Sequence, residues 1–156
     1  SDRIAIMDQG RIVQFDSPRE IYTHPSSIFA SDFIGQTNLI TGAVVALDDQ
    51  IATLRLPNEQ TLTARAAQPI TIGGVGTLSV RPESIRIVHD GSRGLLATVS
   101  EIVYVGRVTR VATLIGTERP VWLELNEESA QGIEIGTSVT LDWKPDAAIV
   151  WPGDGT

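Results

Sequence analysis

An internal repeat places the strongest constraint on how this chain folds. Residues 78–87 are LSVRPESIRI and residues 141–150 are LDWKPDAAIV, so a basic residue, a proline and an acidic residue recur in the same order. The two prolines lie 63 positions apart (145 − 82). An apolar run precedes and follows each proline, which predicts a strand, a corner and a second strand. The predicted corner residues are Arg81, Pro82 and Glu83 in the first copy and Lys144, Pro145 and Asp146 in the second.

The repeat belongs to a long region that is rich in predicted strands. From residue 38 onward, short runs of Val, Ile, Thr and Leu alternate with turn residues and give about ten strands. Small β units that bury little surface alone are often duplicated and paired. We therefore predict a mainly β fold with two OB-like barrel units, packed or interleaved as one body, spanning about residues 38–90 and 94–152.

The first 37 residues have a different character. Apolar runs at 3–7 and 11–15 flank Gly10, a pattern typical of a β-hairpin. Ser17, Pro18 and Glu20 then supply an N-cap, a first-turn proline and the acidic residue of a capping box, which predicts a short helix to about residue 23. A second short helix is predicted from about residue 26 to 34, and residues 1–37 are expected to form a separate domain.

Composition narrows the possible functions. The 156 residues carry a formal charge of −7, from 12 basic and 19 acidic side chains, which argues against a nucleic-acid partner even for an OB-like barrel. There is no cysteine and no run of about 20 apolar residues, so we expect a soluble protein without disulfides or thiolate metal sites. His24 and His89 stand far apart in sequence and are expected to be surface residues rather than metal ligands.

Several segments taken together resemble one family. They are residues 2–7, 8–14, 18–22 and 33–35, with Asn38 and Gly42. In this order they resemble the end of the nucleotide-binding domain in the ATP-binding subunit of an ABC importer. The two proline corners resemble marks of the TOBE regulatory domain that follows it, an OB-like module that is often duplicated. The Trp-basic-Pro-acidic order at residues 143–146 is closer to polyamine-type importers than to maltose-type ones.

The resemblance implies a regulatory and dimer-forming domain. It implies a homodimer, contact with membrane permease subunits through the parent ATPase, and a cytoplasmic place on the inner face of the cell membrane. ATP and Mg would bind the nucleotide-binding domain, because the sole lysine, Lys144, follows no phosphate-binding loop and the glycines at 73–76 suit a turn. We therefore predict no catalytic, cofactor-binding or metal-binding residues in this chain.

An alternative function is a small-ligand sensor that gates the ATPase. The segment 37–42 resembles the opening of oxyanion-binding OB-like modules, so Thr37, Asn38, Thr41 and Gly42 form a possible ligand loop.

The three tryptophans, Trp122, Trp143 and Trp151, bear on the predicted dimer. Barrels of this size hold at most two of them in their cores, so at least one is expected on a surface that becomes buried between protomers.

Overall fold

The computed structural model describes residues 3–27, 36–88 and 94–154. It divides into two compact units, residues 1–37 and residues 38–156. No helix among the described residues has the length and apolar character needed to cross a membrane.

The first unit contains a hairpin and a helix. Strand β1 (Ile4–Asp8) pairs antiparallel with β2 (Arg11–Asp16), and positive φ angles at Gln9 and Gly10 form the turn. Helix α1 (Pro18–Thr23) begins where the Ser17 Oγ accepts a hydrogen bond of 3.2 Å from the Glu20 N–H. The predicted hairpin and first helix are confirmed, while most of the second predicted helix, at 28–35, lies outside the described residues.

The second unit contains ten strands among its described residues, in agreement with the predicted number of about ten. They are β3 (Asn38–Asp48), β4 (Ile51–Arg55), β5 (Thr61–Ala66), β6 (Val75–Val80), β7 (Arg86–Val88), β8 (Leu95–Val105), β9 (Val108–Leu114), β10 (Val121–Asn126), β11 (Ser138–Asp142) and β12 (Ala148–Pro152). Single 3₁₀ turns at Pro82–Ser84 and Pro145–Ala147 precede β7 and β12.

The two halves of this unit exchange their last strands. One half is a closed barrel in the order β12-β5-β4-β3-β6, and the other is a five-stranded sheet in the order β10-β9-β8-β11-β7. Strand β12 follows the second corner, yet it pairs with β6 and β5 of the first half. Strand β7 follows the first corner, yet it pairs with β11 of the second half. The structural halves are therefore interleaved and do not coincide with the sequence segments 38–90 and 94–152.

Strand register shows which positions of the two halves are equivalent. Strands β3 and β8 carry the same irregularity, between Val44 and Ala46 in one and between Val99 and Glu101 in the other. Each β8 residue is therefore equivalent to the β3 residue 55 positions earlier in the sequence (99 − 44). The equivalent residues Val44 and Val99 pair with Leu54 and Thr113, which gives an offset of 59 between β4 and β9 (113 − 54). The pairs Leu54–Leu62 and Thr113–Val121 give the same offset between β5 and β10. The two halves are thus copies in backbone path as well as in sequence.

One apolar core joins the two halves. It includes Leu54 and Leu78 from the closed barrel and Leu123 and Leu141 from the five-stranded sheet, all at most 1% exposed. Strand β12 contributes Ala148 and Val150 to this core, and its Trp151 Nε1 donates a hydrogen bond of 3.0 Å to the Ser79 Oγ. The halves therefore share both strands and core.

Removing β12 should unfold both halves. A chain truncated after Ala147 loses the buried side chains of Ile149, Val150 and Trp151, each worth about 1.5–3 kcal/mol of burial. That total is comparable to the whole stability of a domain, about 5–15 kcal/mol. We expect urea unfolding, followed by circular dichroism, to show no cooperative transition. A control truncated after Gly153 should unfold like the full chain, and a cooperative transition in the shorter chain would contradict the shared core.

Candidate functional site

The two proline corners have the same backbone geometry. Arg81 (φ −78°, ψ 147°) and Lys144 (φ −73°, ψ 138°) are both extended, and a 3₁₀ turn follows each. In both corners the basic residue's carbonyl accepts from the N–H three residues on, at 3.0 Å from Ser84 and at 2.8 Å from Ala147. Each turn leads into the strand that crosses to the other half. The repeated segments are therefore crossover corners.

The corners differ in their surroundings. Arg81 is 7% exposed and Pro82 is buried, whereas Lys144 and Pro145 are exposed. The acidic residues, Glu83 and Asp146, are both exposed at the start of their turns, where unpaired backbone N–H groups favour negative charge. Only the first corner therefore places its cation inside the fold.

The possible ligand loop makes mostly structural contacts. The Asn38 side chain is 6% exposed; its Nδ2 donates to the Trp122 carbonyl at 2.8 Å, and its Oδ1 accepts from the Trp122 N–H at 2.8 Å. Thr41 Oγ1 lies 3.2 Å from Thr77 Oγ1. A Cβ at Gly42 would lie 2.8 Å from the Arg55 carbonyl oxygen, so a larger residue would push β3 away from β4. These contacts tie β3 to its neighbours.

Thr37 ends the first unit, and its Oγ1 is buried without a hydrogen-bond partner in the described part of the chain.

A groove of about 450 Å³ opens beside this segment, and we call it the β3 groove. It is lined by Leu39, Ile40, Thr41, Pro57, Gly116, Thr117, Glu118, Arg119 and Asp154. Its volume lies in the usual range for small-molecule sites, roughly 300–1,000 Å³. The sequence analysis found Thr41 as a possible ligand residue but did not find residues 116–119. No local pattern joins the two segments, because strand pairing alone brings them together.

Metal binding receives no support from the described residues. They contain no group of three or more His, Asp or Glu side chains placed to hold a metal ion. His24 lies at the end of α1, where its Nδ1 is 3.4 Å from the Glu20 carboxylate, and both side chains are exposed. His89 lies outside the described residues.

A family comparison finds a match in the second unit. Residues 78–151 match the TOBE domain family. This part of the chain is similar to a TOBE domain. The match covers both proline corners and all the strands from β7 to β11, together with the end of β6 and all of β12 except Pro152.

Similarity to curated proteins extends beyond the TOBE domain. The spermidine/putrescine import ATP-binding protein PotA of Thermobifida fusca is 33% identical over 159 residues, covering 98% of this chain and 41% of that protein. PotA of Acidothermus cellulolyticus is 36% identical over 153 residues, covering 94% and 40%. This chain therefore spans about two fifths of the length of these relatives. The resemblance to the C-terminal part of an importer ATP-binding subunit is confirmed.

A solved structure shares the fold of about three quarters of this chain. The cytoplasmic molybdate-binding protein ModG, in a crystal form with molybdate bound, superposes with a TM-score of 0.66 at 18% identity. The match covers 74% of this chain and 96% of ModG. This likeness confirms the predicted OB-like fold class. The identity is too low to transfer the ligand, and the side chains of Asn38 and Thr41 already make contacts within the second unit.

The outer faces of the two halves differ in polarity. In the five-stranded sheet, Leu96, Leu114 and Trp122 share one face, on which Leu96 is 59% and Leu114 is 48% exposed. By the register, the equivalent positions in the closed barrel are Thr41, Arg55 and Thr63, all exposed. We call the first set the apolar outer face. At these three positions the five-stranded sheet therefore carries large apolar side chains where the closed barrel carries polar ones.

Two of the three tryptophans are buried, which agrees with the predicted limit of two in the cores. Trp143 and Trp151 are buried, at 8% and 3% exposure, while Trp122 is half-buried on the apolar outer face. The Arg110 guanidinium lies over the Trp122 ring, 5.1 Å from its centroid. Trp122 is therefore the tryptophan that remains available for contact with another molecule.

The two corners should differ in their contribution to stability. Arg81→Ala removes a buried side chain and the interactions that it makes inside the fold, which should cost about 1–3 kcal/mol. Lys144→Ala removes an exposed ammonium and should cost less than about 1 kcal/mol. Urea unfolding of both variants measures the difference. Equal losses, or a larger loss at Lys144, would contradict the assigned roles.

Proposed function

We propose that this chain is the C-terminal regulatory and dimer-forming part of the ATP-binding subunit of an ABC importer for polyamines such as spermidine and putrescine. Support comes from the TOBE match and from relatives with that printed function. The chain itself is not the catalytic part: ATP and Mg bind the nucleotide-binding domain of the parent protein. The parent subunit lies at the cytoplasmic face of the membrane, bound to permease subunits.

The hairpin of the first unit supports a place within a larger domain. One face of the β1–β2 hairpin buries Ile6. The other face leaves Met7, Ile12 and Phe15 more than half exposed. Two-stranded sheets with apolar residues on both faces need a second layer to cover them. We propose that this layer is the rest of the nucleotide-binding domain.

The apolar outer face carries the proposal of dimerisation. Large exposed apolar side chains that adjoin one another mark interaction surfaces. Tryptophan and arginine, here Trp122 with Arg110, are among the residues that contribute most to interface affinity. A second copy of the chain presents the same face, so a two-fold contact would bury Leu96, Leu114 and Trp122 on both sides.

The closed barrel supplies substitutions for testing this interface. The double variant Leu114→Arg and Trp122→Thr places on the apolar outer face the residues found at the equivalent barrel positions, Arg55 and Thr63. The backbone of Trp122, which Asn38 binds, is unchanged. We expect sedimentation to show a dimer for the unmodified chain and an at least thirtyfold weaker dimer for the variant, the loss of an interface hot spot of about 2 kcal/mol.

The matched control is Thr63→Ser on the outer face of the closed barrel, which should dimerise like the unmodified chain. The variant's thermal unfolding should stay within a few degrees of the unmodified chain. A monomeric unmodified chain, or a variant that dimerises equally well, would contradict the proposed interface.

A further inference from the structure

One contact between a loop side chain and a strand peptide is present at one place in the second unit and absent at the equivalent place, which lies beside the β3 groove. The Gln60 side chain, from the β4–β5 loop of the closed barrel, binds a peptide of β8 in the five-stranded sheet: its Nε2 donates to the Leu96 carbonyl at 3.2 Å, and its Oε1 accepts from the Leu96 N–H at 2.7 Å. By the register offsets, the equivalent residues are Arg119 and Thr41. Both of these line the β3 groove. The position that Gln60 closes at one place is therefore open at the equivalent place.

The backbone of Thr41 faces this groove. Leu96 is opposite Thr140 in the β8–β11 ladder, and its N–H and carbonyl point away from β11 to Gln60, as in a non-hydrogen-bonded pair. Thr41 is opposite Thr77 in the equivalent pair of the β3–β6 ladder. The pairing of β3 with β4 begins only at Ala43. The Thr41 N–H and carbonyl therefore point to the groove, away from β6.

Arg119 cannot replace the amide of Gln60. A guanidinium has five N–H donors and no acceptor, so it has nothing to accept the hydrogen bond of the Thr41 N–H. The groove thus presents two donor groups, the Thr41 N–H and the Arg119 guanidinium, which suit a carboxylate, and one backbone acceptor, the Thr41 carbonyl, which suits an ammonium group. Glu118 and Asp154 line the same groove and add negative charge suited to an ammonium group. The groove also has an apolar wall, formed by Leu39, Ile40 and Pro57.

We propose that the β3 groove binds a free α-amino acid. Its carboxylate would lie against Arg119 and the Thr41 N–H, and its ammonium group would lie near Glu118 and Asp154. Its side chain would contact the apolar wall. This site does not depend on the proposed dimer, because all its residues belong to one chain.

Calorimetric titration of the full chain tests the ligand class. The probes are glycine and L-leucine, with 4-methylpentanoate and L-leucinamide as matched compounds that lack the ammonium group and the carboxylate. We expect saturable binding of leucine and at least tenfold weaker binding of both matched compounds. The absence of binding by glycine and leucine would overturn the proposal. Binding of 4-methylpentanoate as tight as that of leucine would also overturn it. We expect spermidine and molybdate to leave leucine binding unchanged, and displacement of leucine by either would overturn the proposal too.

A substitution that copies the other half tests the location. Arg119→Gln places an amide where Gln60 stands in the other half, so we expect it to bind the Thr41 peptide, close the groove and reduce leucine affinity at least tenfold. Its thermal midpoint should equal or exceed that of the unmodified chain, which separates closure from misfolding. Arg107→Gln, the same change at the exposed turn between β8 and β9, is the matched control and should bind leucine normally. Unchanged affinity in Arg119→Gln would overturn the assignment.

Discussion

Exchange of the last strand between the two halves is the constraint on which the rest of this structure depends. Strand β12 closes a barrel whose other strands lie more than 65 residues earlier, and β7 completes the sheet of the opposite half. Each exchange follows a proline corner with the same extended and 3₁₀ geometry. Proline at these corners fixes φ and removes an N–H donor, so the preceding strand ends and the chain is free to cross. The core is consequently shared, and neither half has a complete set of strands from its own sequence segment.

Duplication lets equivalent positions be compared within one chain. Two of the differences between the halves lie at the proposed dimer surface and at the proposed ligand site. The outer face of the five-stranded sheet has Leu114 and Trp122 where the closed barrel has Arg55 and Thr63. The groove beside Thr41 has Arg119 where the other half has Gln60. The core pair Leu78 and Leu141, by comparison, has the same residue in both halves and is almost fully buried. The proposed dimer surface and the proposed ligand site therefore both lie at positions where packing does not dictate the residue.

Local signals in the sequence predicted most of the strands, because alternating apolar residues and turn residues report short-range geometry. The Ser17 cap and the Gly10 turn predicted the helix and the hairpin of the first unit for the same reason. The repeated sequence around Pro82 and Pro145 predicted the two corners. Strand exchange could not be chosen over side-by-side packing, since both satisfy the same apolar pattern. Only part of the β3 groove was predicted. Thr41 belonged to the possible ligand loop, but its proximity to Arg119 depends on long-range strand pairing. Asn38 was proposed as a ligand residue, and its amide instead holds the Trp122 peptide.

Native-state hydrogen exchange of the full chain tests the shared core most directly. If each half depends on a strand from the other, amides of the closed barrel and of the five-stranded sheet should exchange through the same global opening. Their opening free energies should then agree and should fall with the same denaturant dependence, for example at Leu54 and Leu123, which are both fully buried. Protection that persists in one half at denaturant concentrations where the other half has fully exchanged would contradict this account.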